Sequence, residues 1–395
     1  MELVQTKLDV LEKARSNLFN WRGQFTPEFV EYILKSFSKR DDLILDPFSG
    51  SGTVLLESAR LNLSAVGVEI NPAAYMMSRF YGFCNWKLHE RENFCINIKE
   101  KILVFLKTIN KNTPLYVASE EYKESYVNLL GFAKMCKEYL GDINERTFLL
   151  NVLFMSEKDK RLTLNDSVTK SIDLMTKSLL ELPFSESPII AHWQDSRSIN
   201  DLYTGEVDLI VTSPPYINVF NYHQNYRAII EAFDHDVLEV AQSEFGSNRK
   251  NRGNRFKTVI QYCIDMELAI RAMWEALKPN GMLIVVLGRE SNVRGIPFYN
   301  GRLISEIVSE CKGFNHISNH ERQFVNKFGI SIKEDIFVLK KENPLAAQLK
   351  ARDISLKHLQ TGIGKSHNGV TNDIVDAMNC INGVSSSPIL SKREF

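Results

Sequence analysis

Two consecutive prolines follow a short apolar segment in the sequence Ser213-Pro-Pro-Tyr216, directly after VDLIVT. Proline lacks an amide donor and cannot continue a central strand, so the chain must leave the predicted sheet here. Ligands of open α/β sheets bind at this carboxyl edge. Carbonyl oxygens and one hydroxyl remain as acceptors beside an aromatic face. These residues could bind an aromatic amine by accepting hydrogen bonds from its two N–H groups, which frees the nitrogen lone pair for attack. The candidate catalytic residues are therefore Ser213, Pro214, Pro215 and Tyr216. A rigid loop without a catalytic role is the alternative.

A glycine-rich turn, DPFSGSGT at residues 46–53, lies between a strand pattern and a helix pattern. Glycines allow the backbone to turn sharply and to approach a ligand closely. The backbone amides at the start of the following helix point at the polar end of that ligand. No Gly-Lys-Ser/Thr follows, which excludes a P-loop, and the third glycine of the dinucleotide fingerprint is missing. Glu69 ends the next strand, where an acid that binds ribose is expected. A tight turn without a ligand is the alternative.

Two further groups of polar residues are candidates for binding. Asp195 follows the third strand pattern, PIIAHW, and could accept a hydrogen bond from an adenine amine or cap a helix at Ser196. Residues 246–257 contain no acid and are rich in Gly and Asn, which predicts a flexible loop that binds DNA phosphates or guanine edges. A solvated surface loop is the alternative. The basic residues of this loop are Arg249, Lys250, Arg252, Arg255 and Lys257.

The elements that must position these residues alternate between strand and helix patterns. Five apolar strand patterns, ending with MLIVVLG, predict a parallel, doubly wound α/β sheet that FNHISNHERQF and EDIFVLKK close. An amphipathic helix is predicted over residues 1–18, and a second begins with Thr26 as N-cap and Pro27 as its first residue. Residues 1–80 and 188–343 are thus expected to form one domain, which would contain the candidate catalytic residues. Residues 81–187 are a mostly helical insertion and possible DNA-recognition region, and residues 344–395 are a polar, loosely packed tail with one or two short helices.

The composition is that of a soluble globular protein, with 44% hydrophobic and 24% charged residues. The 48 basic and 48 acidic residues cancel, so any nucleic-acid binding must come from a local basic surface. The six cysteines form no CxxC pair, which predicts free thiols in a reducing cytosol and no metal site. No apolar run reaches about 18 residues and no signal pattern begins the chain, which predicts a cytoplasmic protein without a membrane span.

The motifs DPFSGSGT, VGVEINP and TSPPY, in this order, resemble the amino-methyltransferase family of DNA modification enzymes. The likeness covers about residues 19–80 and 188–340 and does not extend to the insertion or the tail. It implies the seven-stranded Rossmann-like fold of class I methyltransferases that depend on S-adenosylmethionine. Within this family, Ser-Pro-Pro-Tyr is typical of enzymes that methylate cytosine N4. Asp-Pro-Pro-Tyr and Asn-Pro-Pro-Tyr are typical of adenine-N6 enzymes.

The resemblance also implies roles for individual residues. The segment RGQFTPEF is similar to an extra cofactor-binding element at the methionine end, and Asp195 would bind the cofactor's adenine. Ser213 to Tyr216 would hold the target amine and stack on a base swung out of the duplex. The partners implied are double-stranded DNA and a cognate restriction endonuclease. The expected cofactor-binding residues are Phe25, Thr26, Asp46, Pro47, Phe48, Ser49, Gly50, Ser51, Gly52, Thr53, Glu69, Ile70 and Asp195.

The sequence excludes some other functions and leaves others open. A cytosine-C5 methyltransferase needs a nucleophilic cysteine in Pro-Cys, which does not occur in this chain. An NAD-linked dehydrogenase is excluded by the missing fingerprint glycine and by Ser-Pro-Pro-Tyr. Adenine-N6 methylation, base methylation of RNA at guanine N2, and a DNA-binding module without catalysis stay open. No base is needed to deprotonate the product, so His192 and His223 receive no role, and Trp193 is expected in the core.

Overall fold

A seven-stranded sheet with the strand order β3-β2-β1-β4-β5-β9-β8 forms the centre of the protein. The computed structural model describes residues 3–11, 13–108, 121–158, 162–217, 222–246, 251, 253–325, 329–366, 368–390, 393 and 395. The strands are β1 (Leu43–Asp46), β2 (Ser64–Glu69), β3 (Ile189–Trp193), β4 (Val207–Thr212), β5 (Leu277–Gly288), β8 (Phe314–Val325) and β9 (Ser331–Lys341), and a separate hairpin contains β6 (Glu290–Val293) and β7 (Ile296–Tyr299).

The first five strands are parallel, and β9 runs antiparallel to both β5 and β8. The predicted class I α/β fold is therefore confirmed, including the closing pair of strands. Strand order reverses between β1 and β4, which lie side by side with Leu45 opposite Ile210. Such a reversal leaves a crevice at the carboxyl edge of the sheet, where ligands of this fold class bind.

Helices cover both faces of the sheet because successive strand residues point to opposite sides. Ile44 packs into one hydrophobic cluster and Leu45 into the other, as do Leu209 and Ile210 on β4. The first face is covered by α2 (Pro27–Phe37), α3 (Thr53–Arg60) and α4 (Pro72–Arg79). The second face is covered by α11 (Lys257–Ala276), α12 (Asn300–Cys311), α13 (Ala351–Ile363) and α14 (Asn368–Asn379). Two short helices, α9 (Arg227–Ala232) and α10 (Val237–Ser243), follow β4.

The region between α4 and β3 is helical, as the sequence predicted. It contains α5 (Leu88–Thr108), α6 (Glu121–Tyr139), α7 (Ile143–Lys158) and α8 (Leu164–Leu180). Phe148 and Phe154 of α7 are fully buried in the same cluster that covers the first face of the sheet. The Asn151 side chain donates a hydrogen bond of 2.8 Å to the Met76 carbonyl on α4. The insertion therefore shares the core of the sheet domain.

The N-terminal helix is much shorter than predicted. Only α1 (Gln5–Asp9) forms, because Val10 adopts a left-handed conformation with φ of 49°. Beyond it, the Glu28 carboxylate accepts the backbone amide of Arg15, whose guanidinium bonds the buried Glu57. These contacts hold the chain in an irregular path, so residues 1–18 do not form the one continuous helix that their apolar periodicity predicted. Thr26 and Pro27 occupy the predicted N-cap and first positions of α2.

The C-terminal region is not the loosely packed tail that its polar composition suggested. Glu267 of α11 accepts hydrogen bonds from the backbone amides of Lys350 and Ala351, where α13 begins. Ser387 and Leu390 are buried farther along the chain. The helices α13 and α14 agree with the one or two short helices that the sequence predicted. The expectation of loose packing was wrong because a few buried polar contacts anchor this segment, and composition does not reveal them. Within the described residues, no helix has the length and apolarity needed to cross a membrane.

A buried ionic network joins the C-terminal segment to the sheet. Arg197 donates to Asp195 through Nε at 2.9 Å and to Asp265 on α11 through Nη1 at 2.8 Å, and all three side chains are fully buried. The Ser387 amide donates to Asp265 at 2.9 Å. Burial raises the pKa of Asp265 to about 6, although Arg197 opposes that change. The network therefore depends on one guanidinium between two carboxylates.

Replacing Arg197 with methionine is expected to lower the free energy of unfolding by about 3 kcal/mol, because it leaves two buried carboxylates without their cation. Urea denaturation followed by circular dichroism measures this loss. The matched control is Arg302→Met, since Arg302 is largely exposed on α12. A loss for Arg197→Met no larger than that of the control would show that the network does not stabilise the fold.

Candidate functional site

A pocket opens at the carboxyl edge beside β1 and β4. The segment before α2, the glycine loop, the ends of β2 and β4, and the end of α10 all contribute to its walls. The residues that line it are Trp21, Arg22, Gly23, Gln24, Phe25, Asp46, Pro47, Phe48, Ser49, Gly50, Ser51, Thr53, Glu69, Ile70, Asn71, Asp195, Ser196, Ser213, Pro215, Tyr222, Glu244 and Phe245. Most residues predicted for cofactor binding thus lie together with Ser213 and Pro215 of the Ser-Pro-Pro-Tyr tetrapeptide.

The glycine loop needs its glycines for two different reasons. Gly50 and Gly52 both have positive φ, at 51° and 87°, where a side chain is strained. A Cβ atom at Gly52 would also lie 2.8 Å from the Ser78 Cα. The Gly50 amide donates to the Glu69 carboxylate at 2.8 Å. The loop is therefore fixed against the end of β2, as a ligand-binding turn requires.

The segment before α2 is tied to this loop by side-chain hydrogen bonds. Ser51 donates to Gln24 at 2.8 Å, and Thr53 donates to the Asn17 side chain at 3.1 Å. Asn17 in turn donates to the Phe25 carbonyl at 2.8 Å. Phe25 lines the pocket, whereas Thr26 does not and serves as the N-cap of α2. Gly52 likewise supports the loop from outside the lining.

Two buried carboxyl groups face the pocket from the ends of β1 and β2. Asp46 accepts hydrogen bonds from the Thr212 hydroxyl at 2.7 Å and from the Phe48 amide at 3.1 Å. Burial raises the pKa of Asp46 to about 7, and it does the same for Glu69. Binding of a positively charged ligand would therefore favour the ionised form of both carboxyl groups.

The tetrapeptide leaves the sheet at the end of β4, as predicted. Ser213 and Pro215 line the pocket, whereas Pro214 is buried and Tyr216 lies just outside the lining. The hydroxyls of Tyr216 and Ser213 are 3.2 Å apart and share a hydrogen bond. The Tyr216 ring rests on the end of β5, where a Cβ atom on Gly288 would lie 2.7 Å from the ring. Tyr216 therefore contacts Ser213 directly, in addition to the face it could offer a base.

Asp195 lies at the pocket, but groups of the protein itself surround its carboxylate. One oxygen accepts from the Arg197 amide at 3.0 Å and from its Nε at 2.9 Å. The other oxygen accepts from Arg197 Nη2 at 2.5 Å and from the Leu390 amide at 3.4 Å. Asp195 is also the N-cap of the 3₁₀ turn Ser196–Asp201. Adenine binding by this residue stays a prediction, and any ligand would compete with four donors.

The basic loop is described only in part. Arg249, Lys250 and Arg252 lie outside the described residues. Arg255 precedes α11 by two positions, and Lys257 at its start forms a 3.0 Å ion pair with Asp376 of α14. DNA binding by this loop therefore stays a prediction, with one of its cations already paired to an acid.

Several pocket residues were missed by the sequence reasoning. Trp21 and Tyr222 stack on each other with ring centroids 5.8 Å apart, and Asn71 caps α4. Trp21 lies four positions before Phe25, so its proximity in the sequence could have suggested it. The motif VEINP contains Asn71, the N-cap of α4. Glu244 and Phe245 gave no signal, because no motif surrounds them. The pocket residues that received no individual cofactor role from the sequence are Trp21, Arg22, Gly23, Gln24, Asn71, Ser196, Tyr222, Glu244 and Phe245, of which Arg22, Gly23 and Gln24 lie in the segment RGQFTPEF.

The histidines and Trp193 take structural positions. His223 lies 2.8 Å from the Glu244 carboxylate through Nδ1, and His192 lies 3.2 Å from the Tyr203 hydroxyl. Trp193 is buried in the first-face cluster, as predicted. No group of three metal-ligating side chains occurs within the described parts of the chain. The pocket offers acceptors for a polar, positively charged ligand, and further acceptors where Ser213 and Pro215 line it.

Comparison with known proteins identifies relatives of this chain. A family model described as DNA methylase matches residues 6–80, which include the segment before α2 and the glycine loop. The Type II methyltransferase M.MjaII of Methanocaldococcus jannaschii is 21% identical over 180 residues, which are 45% of this chain and 32% of that protein. Type II methyltransferase M.AvaI of Nostoc sp. is 20% identical over 290 residues, 61% of this chain and 59% of that one.

Among solved structures, TrmN from Thermus thermophilus aligns with 81% of this chain and 50% of its own, at 14% identity and a TM-score of 0.33. The chain spans about a third to three fifths of the length of the two curated relatives. The family match covers the motifs that form one side of the pocket, and the curated matches are Type II methyltransferases. The chain is thus similar to the DNA methylase family over residues 6–80 and to Type II methyltransferases over longer stretches.

Proposed function

We propose that this protein is a site-specific DNA methyltransferase that transfers a methyl group from S-adenosylmethionine to the exocyclic N4 amine of cytosine in duplex DNA. The observation that carries the proposal is the pocket in which the glycine loop and Glu69 meet Ser213 and Pro215. Cytosine rather than adenine rests on Ser213 as the first residue of the tetrapeptide. The enzyme would act in the cytoplasm beside a cognate restriction endonuclease, and the insertion would contribute to DNA recognition.

The pocket residues fit S-adenosylmethionine by charge and by hydrogen-bonding capacity. Asp46 and Glu69 present buried carboxyl groups, which a cationic ligand stabilises in ionised form. The Ser49 hydroxyl is buried and has no hydrogen-bond partner within the described part of the chain. Phe48 and Ile70 add apolar walls for a planar base. Glu69 would hold the ribose, and the loop with Phe25 would hold the methionine end.

The tetrapeptide would hold and activate the target amine. S-adenosylmethionine supplies, when bound, an electrophilic methyl group that an amine nitrogen attacks with its lone pair before it loses a proton to water. Ser213 can direct its hydroxyl proton to Tyr216, which leaves its lone pairs free to accept from the amine. The Pro214 carbonyl would accept the second N–H. These bonds favour a tetrahedral nitrogen, while the Tyr216 ring would stack on the flipped base.

Cofactor affinity is expected to rise with pH through about 7. Below that pH, Asp46 and Glu69 are protonated in the free protein, and a cationic ligand must displace their protons. The dissociation constant for S-adenosylmethionine should therefore increase about tenfold for each pH unit below 7 and for each carboxyl that ionises on binding. Calorimetric titrations between pH 5.5 and 8 measure this. Asp46→Asn should weaken binding at pH 8 and flatten the dependence, whereas a flat wild-type profile would contradict the expectation.

The function is tested by incubating the protein with duplex DNA and tritiated S-adenosylmethionine and identifying the modified nucleosides by mass spectrometry. N4-methylcytosine is the expected product. N6-methyladenine would keep the site and overturn the choice of base. Methyl transfer to RNA but not to DNA would overturn the DNA substrate, and failure to bind the cofactor would favour a DNA-binding module without catalysis.

A further inference from the structure

A second glutamate, Glu244, faces the cofactor pocket from an element that no motif marks. It directly follows α10 and is nearly fully buried, with 7% of its surface exposed. Its backbone amide donates to the Val240 carbonyl, which fixes the residue at the end of the helix. The next residue, Phe245, packs edge-on against Phe48 of the glycine loop with ring centroids 5.4 Å apart. The Glu244 carboxylate is therefore held rigidly at the pocket wall.

Asn71 links this carboxylate to Glu69. The Asn71 backbone amide donates to one Glu69 oxygen at 2.8 Å, and its side-chain amide lies 3.4 Å from one Glu244 oxygen. The other Glu244 oxygen faces His223 Nδ1 at 2.8 Å. One residue thus spans the two acids, which places them on the same side of the pocket. The proximity of Glu244 adds to the burial that raises the pKa of Glu69.

Two neighbouring buried carboxyls call for a ligand with two hydrogen-bond donors. Each Glu69 oxygen already accepts one backbone amide, from Gly50 or Asn71. Each Glu244 oxygen likewise faces one nitrogen. A carboxylate oxygen has two lone pairs, so both acids keep capacity for a further donor. A ribose carries two adjacent hydroxyl groups, which can donate one hydrogen bond to each acid.

We propose that Glu244 is a second ribose-binding acid, which accepts one hydroxyl of the cofactor's ribose while Glu69 accepts the other. This inference rests on the proposed function, since it assumes that the pocket holds S-adenosylmethionine. It assigns the end of α10 to the cofactor site and places Phe245 beside the adenosine moiety. Through His223, the same carboxylate also contacts the 3₁₀ turn Tyr222–Gln224, which follows the tetrapeptide in the chain.

The experiment measures binding of S-adenosylhomocysteine and of its 2′-deoxy and 3′-deoxy analogues to the full-length protein by calorimetry. Glu244→Ala should weaken binding of the complete ligand by about tenfold or more, since a hydrogen bond to a charged group is lost. Glu244→Ala should weaken binding of one of the two deoxy analogues by at most about threefold, because that analogue lacks the hydroxyl that Glu244 would bind in the wild type. Glu244→Gln keeps the shape and one carbonyl acceptor and should lose less than Glu244→Ala.

The control is Glu239→Gln, which removes a carboxylate of α10 that pairs with Arg393 away from the pocket lining. It should bind all three ligands like the wild type. Equal losses of Glu244→Ala against all three ligands would show a structural role and overturn the inference, as would wild-type affinity. If the wild-type protein fails to bind both S-adenosylmethionine and S-adenosylhomocysteine, the proposed function itself is overturned with it.

Discussion

Replacing Ser213 with alanine is expected to lower kcat for DNA methylation by about a hundredfold or more, while the dissociation constant for S-adenosylmethionine changes less than twofold. The hydroxyl faces the pocket and shares a hydrogen bond with Tyr216, so its loss removes an acceptor for the target amine. The alanine side chain fills nearly the same space, and the hydrogen-bond partner that the variant loses is Tyr216 rather than a residue of the glycine loop. Single-turnover methylation of duplex DNA with saturating cofactor separates this chemical step from binding.

The matched control is Ser309→Ala, because Ser309 is exposed on α12 and contacts nothing in the pocket. Its kcat should equal that of the wild type. Full activity of Ser213→Ala would show that the tetrapeptide does not hold the amine through this hydroxyl. Weak cofactor binding by the same variant would instead place Ser213 in the cofactor site.

Much of the fold could be predicted because its signals are local. The five parallel strands contain short apolar runs, and the turns between strands and helices contain glycine, proline or a capping residue. The glycine loop and Glu69 could be located for the same reason, since the chemistry requires them at fixed positions after β1 and β2. Ser213 and Pro215 then follow from the strand that two prolines end.

The contacts that sequence reasoning missed join residues far apart in the chain. Glu244 lines the pocket from the end of α10, and its link to Asn71 spans 173 positions. Ser387 and Arg197 are 190 positions apart, and the polar composition around Ser387 gives no hint of burial. No periodicity or spacing encodes such contacts, because tertiary packing alone brings the residues together.

Asp195 lies at the position that the sequence predicted, but its carboxylate already has hydrogen-bond partners within the protein. The sequence placed an acid after β3, and the structure places that acid at the pocket. Arg197, two positions later, then occupies both carboxylate oxygens. A sequence shows which residue type stands at a sheet edge, but not how many donors surround it. The Glu244 carboxylate faces fewer donors than Asp195 does and therefore keeps more capacity to accept hydrogen bonds from a ligand.

Alanine at position 288 is expected to lower kcat by up to about a hundredfold, although Gly288 touches neither cofactor nor base in the proposed mechanism. The added Cβ atom would lie 2.7 Å from one ring carbon of Tyr216 and 3.1 Å from another, well inside normal contact distance. Tyr216 must then move by several tenths of an ångström, and the hydroxyl bonded to Ser213 moves with it. Misplacement of a catalytic group by about 1 Å can cost a hundredfold in rate.

A double variant tests whether Tyr216 transmits this effect. Gly288→Ala should lower the rate further by less than about twofold when Tyr216 is already alanine, because the ring that it displaces is gone. Gly131→Ala is the control, since a Cβ atom at that exposed position of α6 meets nothing within 4 Å. If Gly288→Ala costs the same factor with and without the Tyr216 ring, the damage comes from β5 itself. Thermal unfolding of each variant then distinguishes a distorted strand from a displaced tyrosine.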